Sequence, residues 1–382
     1  LDAGKALCRI VLPAKPEREE REAAALLQQS LEAIGGTQVA LVSEDAPLPA
    51  DTVAIHVGNT AAAQGAARLL AAKDADAFAI APLDAHALAL LGARPVSTVY
   101  AVTEFLERHA GALWVWPGEH GTVLPRLDRL EAAVREQVSE PVFRSRRFSG
   151  MGRTPVPLFR LHGSGREVRS EFHHNVFKVL VPETYWETHP EYFAEVNGVR
   201  VKPGVPKSGW QACTSNPEVV ALFAEAARKQ FRDRPWVHSF SVSQNDGSGF
   251  CRCAQCRALD VPGVPGISDR YFTFQNAVAD AIAAEFPDKL IACLAYGEAT
   301  RSVPQQVTLR PNTMAYAVIP TLQDKHEDIR RWAAAAPNLG AYFWLHGKAV
   351  PKFYPHRFAQ YLRFLRDRSE ERRVGKERRS RW

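Results

Sequence analysis

Three short stretches hold the residue types best suited to chemistry. Ser243-Gln244-Asn245-Asp246-Gly247 closes a run that begins at Trp236. In that run Val237, Ser239, Ser241, Ser243 and Asn245 alternate with Trp236, His238, Phe240 and Val242, the period of a β-strand. The small, polar set suits a crowded barrel interior, and the bulky set suits packing against helices. Asn245 continues the inward phase, and Asp246-Gly247 begins a turn. A second run, 290–296, ends in Tyr296-Gly297-Glu298, with Tyr296 and Glu298 in one phase. Carboxylates at neighbouring strand ends, Asp246 and Glu298, are what glycoside hydrolysis requires. One protonates the leaving oxygen, and the other supports charge developing at the anomeric centre. Each also has an ordinary explanation: Asn-Asp-Gly is good turn chemistry, and a single Glu is commonly solvated.

Cys251, Cys253 and Cys256 form the third stretch. Three thiols in so short a span bind zinc once a fourth ligand arrives, and Cys213 and Cys293 are the candidates. A disulfide within the loop and three reduced thiols are the alternatives, and a structural role is favoured over a catalytic one. No cofactor is required by the chemistry proposed above. Around these stretches, Tyr185-Trp186, Tyr192-Phe193, Tyr296 and Trp344 offer faces on which sugar C–H groups stack, although most such aromatics serve cores. His173-His174-Asn175 falls on a strand-like run at 172–179, so only one of the two histidines points to the strand-end mouth. His174, Asn175, Tyr296 and Trp344 are therefore the candidate substrate-binding residues.

The elements that must position these groups divide in two. Over 1–140, strand signals at 6–12, 53–57, 77–81 and 87–91 alternate with helical ones. The helix at 17–34 carries Ala24, Leu27, Leu31 and Ile34 at three- and four-residue spacing and is closed by Gly35-Gly36. This predicts a small α/β sandwich. Over 141–368, strand-like runs at 143–148, 172–179, 209–213, 236–243, 290–296, 313–319 and 339–344 alternate with helices at 217–231, 271–286 and 327–335. Such units predict a parallel sheet closed as a (β/α) TIM-like barrel. Six or seven strands fall short of eight, so the barrel is expected to be incomplete at its C-terminal end.

Charge excludes one class of partner. The net charge is +6, yet 363–382 hold nine Lys/Arg against four Asp/Glu, which is +5 and leaves +1 for the rest. A near-neutral body does not predict nucleic-acid binding. The tail at 369–382 has no apolar period and reads as sequence foreign to the fold. No apolar run approaches the roughly 18 residues of a membrane span, and no signal-peptide pattern precedes Cys8.

Several motifs resemble the bacterial family described as domain of unknown function 4838, part of which is glycoside hydrolase family 163. They are 174–182, Tyr185-Trp186 through Phe193 with Asn197-Gly198, Ser215-Asn216-Pro217-Glu218, 241–247 running into the three cysteines, and Leu294 to Gly297. The N-terminal part resembles the domain that precedes the barrel in β-hexosaminidases and α-glucuronidases. The resemblance implies a secreted, periplasmic or extracellular enzyme hydrolysing β-N-acetylglucosaminides, endo-acting on N-glycans, with the substrate acetamide assisting. Asn245 or Asp246 would then orient the acetamide, and Glu298 would be the acid. Two other readings remain open: an α-glucuronidase-like hydrolase, which needs a basic pocket, and a glycan-binding protein with no acid in reach. Trp344-Leu345-His346 departs from the family, where an acidic residue and an aromatic tend to follow the strand Trp.

Overall fold

The computed structural model describes residues 1–2, 4–115, 118–143, 145–146, 170–204, 208–319, 326–343, 360 and 362–367. The chain forms two compact units, Leu1–Arg166 and Glu167–Trp382. Both are mixed α/β with parallel strands. Among the described residues, no helix is long and apolar enough to cross a membrane.

The first unit is a six-stranded sheet. Its strands are β1 (Cys8–Leu12), β2 (Ala40–Ser43), β3 (Val53–Val57), β4 (Phe78–Asp84), β5 (Ala87–Gly92) and β6 (Gln137–Ser139), in the order β2-β1-β3-β5-β4-β6. The first four of that order are parallel, while β4 pairs antiparallel on both sides. Helix α1 (Arg18–Gly35) starts with a capping box in which Glu17 and Glu20 satisfy each other's backbone amides. It ends on Gly36 at φ 64°, a left-handed cap that glycine adopts without strain. Its buried Ala24, Leu27, Leu31 and Ile34 pack with helix α2 (Pro95–Ala110) on one face of the sheet. Strand alternation puts Ile80, Leu88 and Leu90 on that face, and Ala79, Ala81, Ala89 and Leu91 on the other. The second face is covered by 63–70, where the alanine-rich segment makes only a short helix, Gln64–Ala67, and a 3₁₀ turn.

In the second unit β7 (Ser239–Ser241), β8 (Leu290–Ala295), β9 (Thr313–Ile319) and β10 (Asn338–Phe343) are parallel and adjacent in that order. Helices α3 (Pro217–Asp233), α4 (Ser268–Ile282) and α5 (His326–Ala335) supply one side of the core. Phe223, Phe231, Phe272, Phe274 and Trp332 pack there with Phe240, Ile291, Cys293 and Ala315. Asn216 caps α3 by accepting from the Glu218 amide at 2.8 Å, with Pro217 at the first helical position. The opposite face presents Ala292, Leu294, Tyr316 and Val318, against which Phe172 packs; its ring stacks on Tyr316 at 3.8 Å. Gly340 pairs with Tyr316, and a Cβ there would lie 2.2 Å from the Tyr316 ring, so glycine makes room for this stack.

Two expected strands are not strands. Residues 172–175 are irregular and 176–179 form a helical turn, because the carbonyls of 171–173 are taken by serine hydroxyls rather than by a ladder. Segment 209–213 makes only an isolated bridge, Phe193 to Ala212. The expected strand at 143–148 and the tail at 369–382 fall partly or wholly outside the described residues.

His56 on β3 offers a pH test of the first unit. Its side chain is buried and its Nδ1 lies 3.1 Å from Thr60 Oγ1. Burial holds the imidazole below its ordinary 6.5, against the opposing pull of Glu44 and Asp84. The unfolded chain therefore binds the proton more readily. The stability is fully present above the unfolded value and is lost as pH falls below about 6.5 towards the folded value. Thermal midpoints should decline over that interval, and His56→Gln, which keeps a polar group beside Thr60, should flatten the decline. Equal slopes for parent and variant would remove His56 as its cause.

Candidate functional site

At the C-terminal end of β7 the chain runs through Ser243, Gln244 and Asn245, all buried, and then surfaces at Asp246. Three serines on one strand phase hold the neighbouring segment by its carbonyls. Ser239 donates to Glu171 O at 3.0 Å, Ser241 to His173 O at 2.6 Å, and Ser243 to Phe172 O at 2.7 Å. Asn175 returns the contact, its Nδ2 donating to Ser241 O at 2.8 Å and its amide to Ser243 O at 3.1 Å. The inward polar phase predicted from sequence thus fixes in place the irregular segment that carries His174 and Asn175.

Asn245 is fully enclosed. Its Oδ1 accepts from the Phe177 amide at 2.8 Å and its Nδ2 donates to Trp210 O at 3.0 Å. Gln211, also buried, holds the Asn245 backbone from both sides: Oε1 accepts from Asn245 N, and Nε2 donates to Asn245 O, each at 2.9 Å. Gln244 donates to Thr300 Oγ1 at 2.7 Å, while its Oε1 is buried without a hydrogen-bond partner among the described residues. Gln211 and Thr300 escaped the sequence reading, since a glutamine in a strand-like run and a threonine in a loop carry no spacing signal.

Asp246 is exposed, and its Oδ1 accepts from the Tyr296 hydroxyl at 3.0 Å and from Gly247 N at 3.0 Å. Gly247 takes φ 90°, and the Asp246 carbonyl accepts from Gly209 N at 2.9 Å. Tyr296 follows β8 and is half-buried. Burial, and then its hydrogen bond to Asp246, raise the phenol above its ordinary value, so it remains a donor at neutral pH. The His174 ring stands edge-on to Tyr296 at 5.5 Å between centroids. His174 Nδ1 lies against Gln244 O, which can only accept, so the proton is on Nδ1. That leaves Nε2 as acceptor in the neutral ring. Asp246, Tyr296 and His174 are therefore brought together, with Asn175 and Asn245 behind them.

Glu298 lies on the turn Gly297–Thr300, and its side chain is outside the described residues. Strand alternation stops at Ala295 and Gly297 takes φ 63°, so the shared phase expected for Tyr296 and Glu298 does not extend past the strand. Trp344 also lies outside the described residues. Tyr192 and Phe193 belong to the core, with Tyr185 and Trp186 packed against it, so these four serve packing first. Beside the Asp246 turn is a pocket of about 560 Å³, lined by Phe193, Trp210, Gln211, Ser248, Phe250 and Arg252 among others.

Past that turn the cysteine loop folds back. Cys251, Cys253 and Cys256 converge with Cys213, and all four sulfurs lie within 4.8 Å of one another. Of the two candidates for a fourth partner, Cys213 is the one brought to the group. Cys293 is instead buried on β8, with its sulfur 3.6 Å from Leu294 O. Hydrogen bonds from Cys213 and Cys251 pull the Cys256 thiol far down, and the bond to Cys251 pushes Cys213 up.

A family model described as Domain of unknown function (DUF4838) matches residues 116–344. No curated protein matches the chain. Among solved structures the chain is similar to a family GH115 4-O-methyl-alpha-glucuronidase with specificity for decorated arabinogalactans. Identity is 12% and the TM-score 0.46, over 96% of this chain and 53% of that one. It is also similar to a family 89 glycoside hydrolase from Clostridium perfringens, at 7% identity and TM-score 0.39, over 77% and 44%. A GH138 enzyme targeting pectin rhamnogalacturonan II gives 8% and 0.28, over 89% and 48%. The chain spans about half the length of these structures.

The enclosed amide of Asn245 generates a stability test. Asn245→Ala removes the acceptor of the Phe177 amide and the donor to the Trp210 carbonyl, at about 1–3 kcal/mol for each bond lost at a buried group. A clear drop in the denaturant midpoint is expected. A variant as stable as the parent would mean that water or a rearranged loop satisfies both groups.

Proposed function

The chain belongs to the family described as Domain of unknown function (DUF4838), whose model spans more than half of it, and from that premise we propose that it is a glycoside hydrolase acting on β-N-acetylglucosaminides. The observation that carries the reading is the exposed Asp246 carboxylate held by the Tyr296 hydroxyl, with His174 beside it, at the C-terminal ends of adjacent parallel strands. Barrel enzymes gather their reacting groups at that end, and the four parallel strands form one arc of a (β/α) barrel in this reading. The motif resemblance to glycoside hydrolase family 163 supplies the substrate class and the endo action on N-glycans.

In this proposal the 2-acetamido oxygen of the substrate attacks the anomeric carbon, and Asp246 accepts from the acetamide N–H while positive charge develops there. Tyr296 donates to Asp246 Oδ1, which orients that carboxylate and leaves Oδ2 for the substrate. His174 Nε2 accepts from a sugar hydroxyl, because Nδ1 is committed to Gln244 O. Asn245 positions this turn without touching the sugar, since both ends of its amide are bonded within the protein. Glu298 supplies the proton to the leaving oxygen, and Asn175 and Trp344 complete the sugar site. The adjoining pocket, about 560 Å³, has the size of a small-ligand site and takes a further sugar unit.

Product analysis on a panel of defined N-glycans, alongside an aryl β-N-acetylglucosaminide, tests this reading. Asp246→Asn should lower kcat by about 10²–10³-fold, the worth of one electrostatic stabiliser. Tyr296→Phe should cost about tenfold or more, the worth of one charge-assisted hydrogen bond. Full activity in Asp246→Asn would remove it from the chemistry. Glycan binding with no turnover by the parent would turn the reading into that of a glycan-binding protein.

A further inference from the structure

The cysteine group has no part in the chemistry above, and its geometry carries an assignment of its own. We propose that Cys213, Cys251, Cys253 and Cys256 hold one zinc ion in a closed tetrahedral site that clamps the loop after Asp246 onto the segment leading into α3. A zinc–sulfur bond is about 2.3 Å, so a regular tetrahedron of sulfurs has edges of about 3.8 Å. Cys213 Sγ lies 3.8 Å from Cys253 Sγ and 3.9 Å from Cys256 Sγ, and all four sulfurs fall within 4.8 Å of one another. Such a set is already at coordination distance from a common centre. A disulfide needs sulfurs about 2.0 Å apart, and all four thiols are free.

Burial points to a structural site. The four residues are 2, 2, 7 and 0% exposed in chain order, which leaves no open position for water or substrate. Four soft sulfur donors in a tetrahedron select zinc among the common divalent ions, with iron as the alternative. Four thiolates around a divalent ion carry a net charge of −2, and the surroundings donate to those sulfurs. The Glu195 amide reaches Cys251 Sγ at 3.3 Å, Ser215 Oγ lies 3.1 Å from Cys256 Sγ, and Arg200 Nη1 lies 4.0 Å from Cys251 Sγ. Such outer contacts orient ligands and offset their charge. Without an ion, four buried polarizable thiols pressed together would have little to hold them at this spacing.

The site joins distant parts of the sequence. Cys213 lies three residues before Asn216, the cap of α3, whose amide donates to Cys213 O at 3.1 Å. The other three ligands follow Gly247 closely. Arg252 N donates to Glu195 O at 2.7 Å, and Arg270 from α4 donates to Cys251 O. The ion thus ties the loop after Asp246 to the segment leading into α3, and the Arg270 hydrogen bond links the same loop to α4.

Metal analysis of the purified protein by plasma mass spectrometry is the direct test, together with zinc release by a mercurial reagent read with a chromogenic chelator. One zinc per chain is expected, freed only as the thiols are modified. Cys213→Ser and Cys256→Ser should lose the metal and unfold at a lower temperature, while Cys293→Ser and Cys8→Ser should keep it. The parent and the Cys293→Ser protein settle the ligand set even if the first two variants do not accumulate. Metal-free parent protein whose four thiols titrate or are oxidised would overturn the assignment, as would iron in place of zinc. Loss of zinc in Cys293→Ser with retention in Cys213→Ser would overturn the ligand set. The reading uses no substrate, so its outcome is separate from that of the glycosidase test.

Discussion

Between Ser243 and Asn245 the backbone has left the parallel ladder but not the interior, so its amides and carbonyls need partners that no strand provides. Ser241 Oγ and the Asn175 amide supply them at Ser243, the His174 ring at the Gln244 carbonyl, and the side-chain amide of Gln211 at Asn245. Gln211 reproduces both halves of a strand pairing along the Asn245 backbone, and Asn245 does the same service for Phe177 and Trp210. A side-chain amide is suited to this because it carries a donor and an acceptor side by side, as the peptide does. The cost of failure is high, since each orphaned buried group forfeits its full desolvation energy. Everything exposed at the strand end, Asp246 first, depends on that enclosed frame.

The frame explains why some elements were legible in the sequence and others were not. Helix α1 announced itself through Ala24, Leu27, Leu31 and Ile34 because burial on one face follows the helical period. Strands 53–57 and 313–319 were visible as apolar runs for the matching reason: a sheet covered on both faces. The run 172–179 misled because its aromatic and β-branched composition is that of a strand. Its backbone carbonyls, however, are bonded to Ser239, Ser241 and Ser243 hydroxyls, and no hydropathy pattern encodes that. The serine alternation itself was readable, and its small, hydrogen-bonding phase correctly marked a crowded interior. What it could not name was the occupant, which is chain 171–173 with the Phe172 ring on Tyr316.

The site was legible to a similar depth. Asp246 and Tyr296 were both visible at strand ends, yet the expected link ran from Asp246 to Glu298. The Glu298 side chain lies outside the described residues, and the side-chain contact that Asp246 makes among them is the hydrogen bond from Tyr296. For the cysteines, spacing identified three members and left Cys213 and Cys293 as equal candidates for the fourth. Their positions 38 and 37 residues from the nearest of the three give no preference; only the fold brings Cys213 alongside.

An exposed carboxylate makes a poor reacting group unless its backbone is held to a fraction of an ångström, because orientation is a large part of what a site contributes. Asp246 sits on a short turn with glycine at 247 and 249, both at positive φ, which by itself would be a pliable segment. The two ends of that turn are nevertheless restrained by different means. Upstream, the Gln211 and Asn245 amides lock the backbone inside the core. Downstream, the thiol group and Arg270 hold Cys251 within five residues of the carboxylate. Gly249 approaches the Gly209 carbonyl so closely that a Cβ would lie 2.6 Å from it, so the turn gains its fixed path by packing backbone on backbone. Flexible residue types are used here to reach a tight geometry and not to permit motion. The Tyr296 bond then removes the last freedom, the rotation of the carboxylate itself, and leaves one oxygen for a ligand.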